Sequence, residues 1–172
     1  MTREHARVVD LLAGLQALAR GDAGALPAFA PVDVDELVDE CLARAARRHP
    51  DVRYRVAHGA AASVSGWREG LQVAVGNLLD NAAVHGARTV DVTVRAAGTV
   101  VIAVGDDGPG IPAAARAEVT GRFVRGPDTT ASGSGLGLAL VDQQVSLHGG
   151  TFELGESAAG GVLATIELSP GP

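Results

Sequence analysis

A chain of 172 residues has room for one α/β domain with an extra element beside it. Its formal net charge of −6 and the lack of a basic run speak against nucleic acid or a membrane surface as partner, and 47% hydrophobic content argues against global disorder. Aromatic residues make up only 3%, so the core is built from small aliphatic side chains, and the single cysteine, Cys41, excludes an internal disulfide. A reducing, cytoplasmic compartment is the simplest reading of that cysteine usage. No run approaches the ~20 apolar residues that a membrane span needs, and no signal-peptide pattern opens the chain.

In chain order, Val8, Leu11, Leu12, Leu15 and Leu18 recur at spacings of three and four, which predicts a helix over residues 2–20 whose apolar stripe needs a partner. Residues 21–31 (GDAGALPAFAP) read as a linker. A second helix follows over 33–48, with acids at its start and Arg44, Arg47 and Arg48 near its end, in keeping with the helix dipole. His49-Pro50-Asp51 stops it. A short strand is expected over 53–57. Residues 63–66 lead into a long helix from about Trp67 to Gly86, with Ser65 as its cap. Residues 89–95 alternate as a half-buried strand, Ala97-Gly98 turns the chain, and 99–104 read as a more central strand. A short helix over 113–119 opens a long polar stretch that reaches Ser134. Gly135 starts a last helix to about His148, Gly149-Gly150 end it, and residues 151–155 and 162–168 form a closing hairpin. The order predicts an α/β sandwich, a mixed sheet covered on one face by helices.

Three spots carry chemistry. Asn77 and Asn81 lie four apart on the long helix, at the margin of a stripe made by Leu71, Val75, Leu78, Leu79 and Ala82. Asp106-Asp107-Gly108-Pro109-Gly110 puts a carboxylate just past a buried strand, where it can accept from an exocyclic amine, beside glycines that allow close approach. Gly133-Ser134-Gly135-Leu136-Gly137 opens a helix whose free N–H groups suit phosphate. Each alone is weak: Asp-x-Gly-x-Gly is a common turn, and the third spot does not follow a strand as a dinucleotide fingerprint would. Together they offer something for a base, something for phosphates, and two amide oxygens for Mg²⁺.

In this order and with these flanks, the sequence resembles the catalytic ATP-binding domain of two-component sensor histidine kinases, within the superfamily that includes gyrase B and heat-shock chaperone ATPases. Asn77-Leu-Leu-Asp-Asn81-Ala matches the N box. Asp106-Asp-Gly108-Pro-Gly110-Ile111-Pro matches the first glycine box. Arg122-Phe123-Val-Arg125-Gly126 matches the F box, and Gly133-Ser134-Gly135-Leu136-Gly137-Leu138 the second glycine box. Leu147-His148-Gly149-Gly150 fits as well. The resemblance covers about residues 31–169 and implies a Bergerat-type ATP-binding fold over 32–169 with an ATP lid over about 112–134. It implies that Asp106 receives the adenine amino group while Gly108, Gly110 and Ile111 border the purine. Asn81, assisted by Asn77, would hold Mg²⁺, and Ser134, Gly135, Leu136, Gly137 and Leu138 would line the phosphates. Arg122 or Arg125 would approach the phosphates or a partner helix. Two departures stand out. Val84 occupies a place where the family often carries a basic residue, leaving His85 as the next side chain able to reach the nucleotide. Thr120-Gly121 replace the lid's usual Phe.

Residue 77 separates relatives. Gyrase-like ATPases and anti-sigma-factor serine kinases carry a Glu there as general base, whereas an amide takes no proton at neutral pH. The resemblance therefore implies transfer of the γ-phosphate to a histidine rather than to water or a serine. His5-Ala6-Arg7-Val8 lacks the family's acceptor pattern. Residues 1–22 instead resemble the second dimerisation helix, joined by a linker over 23–31. On this reading the chain is a piece of a longer, membrane-anchored kinase, with the phosphoacceptor histidine elsewhere and a response regulator as partner. An anti-sigma-factor-type serine kinase or binding module is the alternative, and a nucleotide-binding scaffold without catalysis a third reading.

Overall fold

The computed structural model describes residues 28–119 and 137–171. Within them the chain forms seven strands and four helices. These are β1 (Ala30–Asp33), α1 (Val34–Arg48), β2 (Arg53–His58), β3 (Ser63–Gly66), α2 (Arg68–Val84), β4 (Thr89–Ala96), β5 (Val100–Asp106), α3 (Ala113–Val119), α4 (Gly137–Leu147), β6 (Thr151–Glu156) and β7 (Val162–Leu168). The expected N-terminal helix and most of the expected linker and lid lie outside the described residues.

Five strands form one mixed sheet in the order β2-β4-β5-β7-β6. β2 runs parallel to β4, and the other three pairings are antiparallel. Alternation sends Val90, Val92 and Val94 of β4 and Val100, Ile102 and Val104 of β5 to one buried face, where they meet Ala164, Ile166 and Leu168 of β7. α1, α2 and α4 cover that face with Leu37, Val38, Leu71, Val75, Leu79, Val141 and Val145, all at most 1% exposed. α2 packs against α1 on one side and α4 on the other. The expected one-sided sandwich is therefore the fold.

Local chemistry explains the ends of α1. Asp33 Oδ1 accepts the N–H of Glu36 at 3.0 Å, acids fill the first turn, and Arg47 and Arg48 the last. Pro50 pushes His49 out of helical conformation, to φ −126° and ψ 70°.

Two expectations at the start of α2 need correction. Ala30 and Pro31, read as the end of a linker, are strand: β1 pairs antiparallel with β3, from Ala30↔Gly66 to Asp33↔Ser63. Ser65 lies in β3 and caps nothing. The N-cap is Trp67, which makes no side-chain cap bond. Its N–H instead donates to His148 Nε2 at 2.9 Å. With Nε2 accepting, the proton sits on Nδ1, which donates to the carbonyl of Gln144 at 2.6 Å. One imidazole thus ties the start of α2 to the end of α4. Phe29 stacks on that ring, with centroids 4.9 Å apart.

Candidate functional site

The C-terminal half of α2, the first residue of α4 and the loop after β5 define the site. Asn77 and Asn81 are both half-buried, flanked by buried Leu78 and Ala82. Asn77 Nδ2 donates to the carbonyl of Val73 at 2.8 Å, and its oxygen lies toward Gly137. Both amides converge on Gly137. A Cβ there would stand 3.0 Å from Asn81 Oδ1, 3.2 Å from Asn81 Nδ2 and 3.3 Å from Asn77 Oδ1. Glycine at 137 lets the helix start approach the two amides closely, forming a candidate cradle with two amide oxygens. Leu138 is half-buried against the core and anchors that start.

Such a donor set fits Mg²⁺ in a particular way. The ion is hard, prefers oxygen, and is commonly held by one or two protein oxygens together with substrate phosphates. Among the described residues no group of three or more His, Cys, Asp or Glu side chains could hold a metal. Two amide oxygens could supply only part of a Mg²⁺ coordination shell, the rest coming from phosphate and water.

Asp106 is the last residue of β5 rather than the first beyond it, since the ladder extends to Val90↔Asp106. It is 8% exposed. Its Oδ1 accepts the N–H of Gly108 at 2.8 Å and of Val162 at 3.2 Å. No described residue bonds Oδ2. A buried carboxylate with one oxygen saturated and one free is an acceptor awaiting a donor. Asp107 next door has another job: its Oδ1 takes the N–H groups of Thr89 and Arg88 at 2.9 and 2.7 Å. Those backbone donors hold its carboxyl below the usual aspartate range. Both adjacent carboxylates thus accept backbone N–H groups through Oδ1, Asp106 from Gly108 and Val162 and Asp107 from Arg88 and Thr89.

Of the remaining expected residues, Gly108 lies beside this acceptor. Gly108 sits where a Cβ would lie 3.0 Å from Asp106 Oδ1 and 3.6 Å from the carbonyl oxygen of His85. His85 is the C-cap of α2, its N–H bonded to Asn81 at 3.0 Å and its side chain exposed. Gly110 takes φ +75°, a conformation that favours glycine, and faces the Gly160 carbonyl. Ile111 is half-buried, and its carbonyl accepts from Arg116 Nε at 3.0 Å, anchoring α3. Val84, the last residue of α2, is 45% exposed. Arg122, Arg125, Ser134, Gly135 and Leu136 lie outside the described residues.

The structure adds a part that sequence reasoning missed, the turn between β6 and β7. Ser157, also 8% exposed, donates its hydroxyl to the Asp106 carbonyl and accepts the N–H groups of Ala159 and Gly161 at 3.2 and 3.1 Å. Its only sequence signal was the Gly-rich turn itself.

An α/β sandwich with paired amides on one helix, a glycine-fronted helix start and a strand-end carboxylate defines a class of nucleotide-handling domain. Comparison with known proteins agrees. Residues 66–172 match the model of the histidine kinase-, DNA gyrase B- and HSP90-like ATPases. The chain is 40% identical over 174 residues to the sensor-type histidine kinase PrrB of Mycobacterium tuberculosis, covering 99% of this chain and 38% of that protein. The crystal structure of the ATP binding domain of PrrB superposes with a TM-score of 0.70 at 37% identity, over 84% of this chain and 98% of that one. Full-length ShkA in complex with AMPPNP superposes with a TM-score of 0.82 at 25% identity, over 96% of this chain and 36% of that one. The chain belongs to the histidine kinase-, DNA gyrase B- and HSP90-like ATPase family, alongside the ATP-binding domains of sensor histidine kinases. It spans about 38% of the length of the curated PrrB relatives.

Proposed function

We propose that this chain is the Mg-ATP-binding catalytic part of a sensor histidine kinase, passing the γ-phosphate of ATP to a histidine on a separate dimerisation helix. The Asn77–Asn81–Gly137 cradle carries the reading: it offers amide oxygens and backbone at a helix start, and no general base at position 77. An imidazole acceptor already owns a lone pair, so it needs positioning and charge neutralisation more than deprotonation. An amide at 77 takes no proton at neutral pH, which disfavours the serine-kinase alternative.

Asn81 and Asn77 would hold Mg²⁺, which neutralises phosphate charge when bound. Asp106 Oδ2 would accept the adenine amino hydrogen, with Gly108, Gly110 and Ile111 around the purine, and His85 would stand in near the phosphates for the basic residue that Val84 replaces. Gly137 and Leu138, with Ser134, Gly135 and Leu136 before them, would line the phosphates, and Arg122 or Arg125 would approach them from the lid. The partners are the parent kinase's phosphoacceptor helices and a response regulator, on the cytoplasmic side of the membrane. Among the described residues no helix is long and apolar enough to cross a membrane.

The test is to incubate the chain with γ-labelled Mg-ATP. Feeble phosphate release and no label on the protein are expected. Rapid, acid-labile labelling of His5 would contradict the proposal.

A further inference from the structure

We infer that Ser157 is a positioning residue for base selection, holding Asp106 so that a single carboxylate oxygen reads the exocyclic amine of the nucleotide. The inference rests on the reading that Asp106 receives the adenine amino group, and deepens it. The observation is a closed set of bonds around a carboxylate. Asp106 is fixed twice, at the main chain by the Ser157 hydroxyl and at Oδ1 by the N–H groups of Gly108 and Val162. Val162 is placed by the turn before it, and that turn is folded around Ser157. The serine oxygen accepts from Ala159 and Gly161, its N–H donates to the Gly161 carbonyl at 3.0 Å, and its carbonyl accepts from Gly160 at 3.0 Å.

The packing leaves no slack. A Cβ at Gly161 would stand 2.2 Å from Asp106 Oδ1 and 2.4 Å from its carbonyl oxygen. Any side chain there would displace the carboxylate, so the turn and the aspartate act as one body. The consequence is chemical. With Oδ1 saturated by two backbone donors, the carboxylate has little freedom to exchange its oxygens. Oδ2 alone faces the ligand, and it only accepts. It welcomes a 6-amino purine and repels a 6-oxo purine, whose oxygen is another acceptor. Discrimination of this kind arises where a buried polar group is left unpaired by the wrong ligand.

Substitution at Asp106 exposes the same asymmetry. In Asp106→Asn the amide oxygen must stay at the Oδ1 position to satisfy Gly108 and Val162. The amide nitrogen then takes the place of Oδ2 and presents a donor. Preference should move from 6-amino toward 6-oxo purines.

The experiment measures the affinity of the full chain for Mg-ATP and for Mg-inosine 5′-triphosphate, with thermal unfolding of each variant alongside. Ser157→Ala is expected to weaken ATP roughly 10-fold and inosine triphosphate much less, lowering the ratio between them. Ser157→Thr keeps the hydroxyl, has the side-chain-free Gly105 beside it, and should restore the ratio. Asp106→Asn should lower the ratio further, and Ser157→Ala in that background should add little to the loss for ATP. Equal weakening of both nucleotides by Ser157→Ala, or no weakening of either, would overturn the inference while leaving the Asp106 reading intact. Unchanged ATP binding in Asp106→Asn would overturn the reading itself.

Discussion

At Gly137 the absence of a side chain is what the proposed phosphate end of the site would require. A methyl there would press on Asn81 Oδ1 at 3.0 Å and Asn77 Oδ1 at 3.3 Å, filling the space where an ion and a phosphate oxygen would meet the amides. Residue 137 is the first of its helix, where the helix tolerates either residue, and the amides need give only a few tenths of an ångström, so the fold should survive. Gly137→Ala is therefore expected to change the melting temperature little while cutting Mg-ATP affinity ~10-fold or more. Calorimetric titration beside a thermal melt separates the two effects, and unchanged affinity would remove the cradle from the account. The neighbouring aspartates teach a related lesson. Asp106 and Asp107 look equivalent in the sequence, yet backbone donors claim Asp107 and a strand end buries Asp106. Only the fold tells them apart.

Among the elements, α4 is tied to α2 at both of its ends. Its start abuts Asn77 and Asn81, and its end binds the start of α2 through His148. Between them Gln144 is fully buried, and its amide has no partner among the described residues. The space is tight, since a Cβ at Gly70 would stand 2.5 Å from its Oε1. An orphaned buried amide costs about 1–3 kcal/mol. Gln144→Met, unbranched and of similar length, should raise the melting temperature by roughly 2–4 °C per kcal/mol recovered. A lower melting temperature would mean that the amide is satisfied after all.

α1 and β2 are joined differently. His58 lies between Asp35, at 2.6 Å from Nδ1, and Asp39, at 3.0 Å from Nε2. Burial, the largest single influence, disfavours the imidazolium, but the two carboxylates together outweigh it and raise the histidine's pKa above 6.5. A raised folded value means that the added stability is complete below pH 6.5 and disappears as pH rises through that higher value. The gap in urea midpoint between wild type and His58→Ala should therefore be widest in mild acid and shrink toward alkaline pH. A gap that widens with pH would contradict the pairing.

Across the whole molecule, what could be read in the sequence was what local chemistry encodes. The 3.6-residue stripe of α2, the alternation of β4 and the breakers around β5 placed the sheet and its helices. The spacing of Asn77, Asn81, Asp106 and Gly137 singled out the candidate site, and the fold brings the two amides beside Gly137. Features set by contacts between distant residues were invisible. β1 and β3 are four-residue strands that exist only by pairing with each other across α1 and β2. His148 replaces a local cap for α2 from 81 residues away. Ser157 reaches Asp106 across 51 residues of chain. None of these carries a periodic or spaced signal. Both kinds of information meet in one claim, that this surface binds Mg-ATP through Asp106 and the paired amides. Titration calorimetry of the chain with ATP, with and without Mg²⁺, for wild type and Asp106→Asn tests it most directly. The account predicts Mg²⁺-dependent binding that weakens ~10-fold or more in Asp106→Asn; no detectable binding by the wild type, or binding indifferent to Asp106, would contradict it.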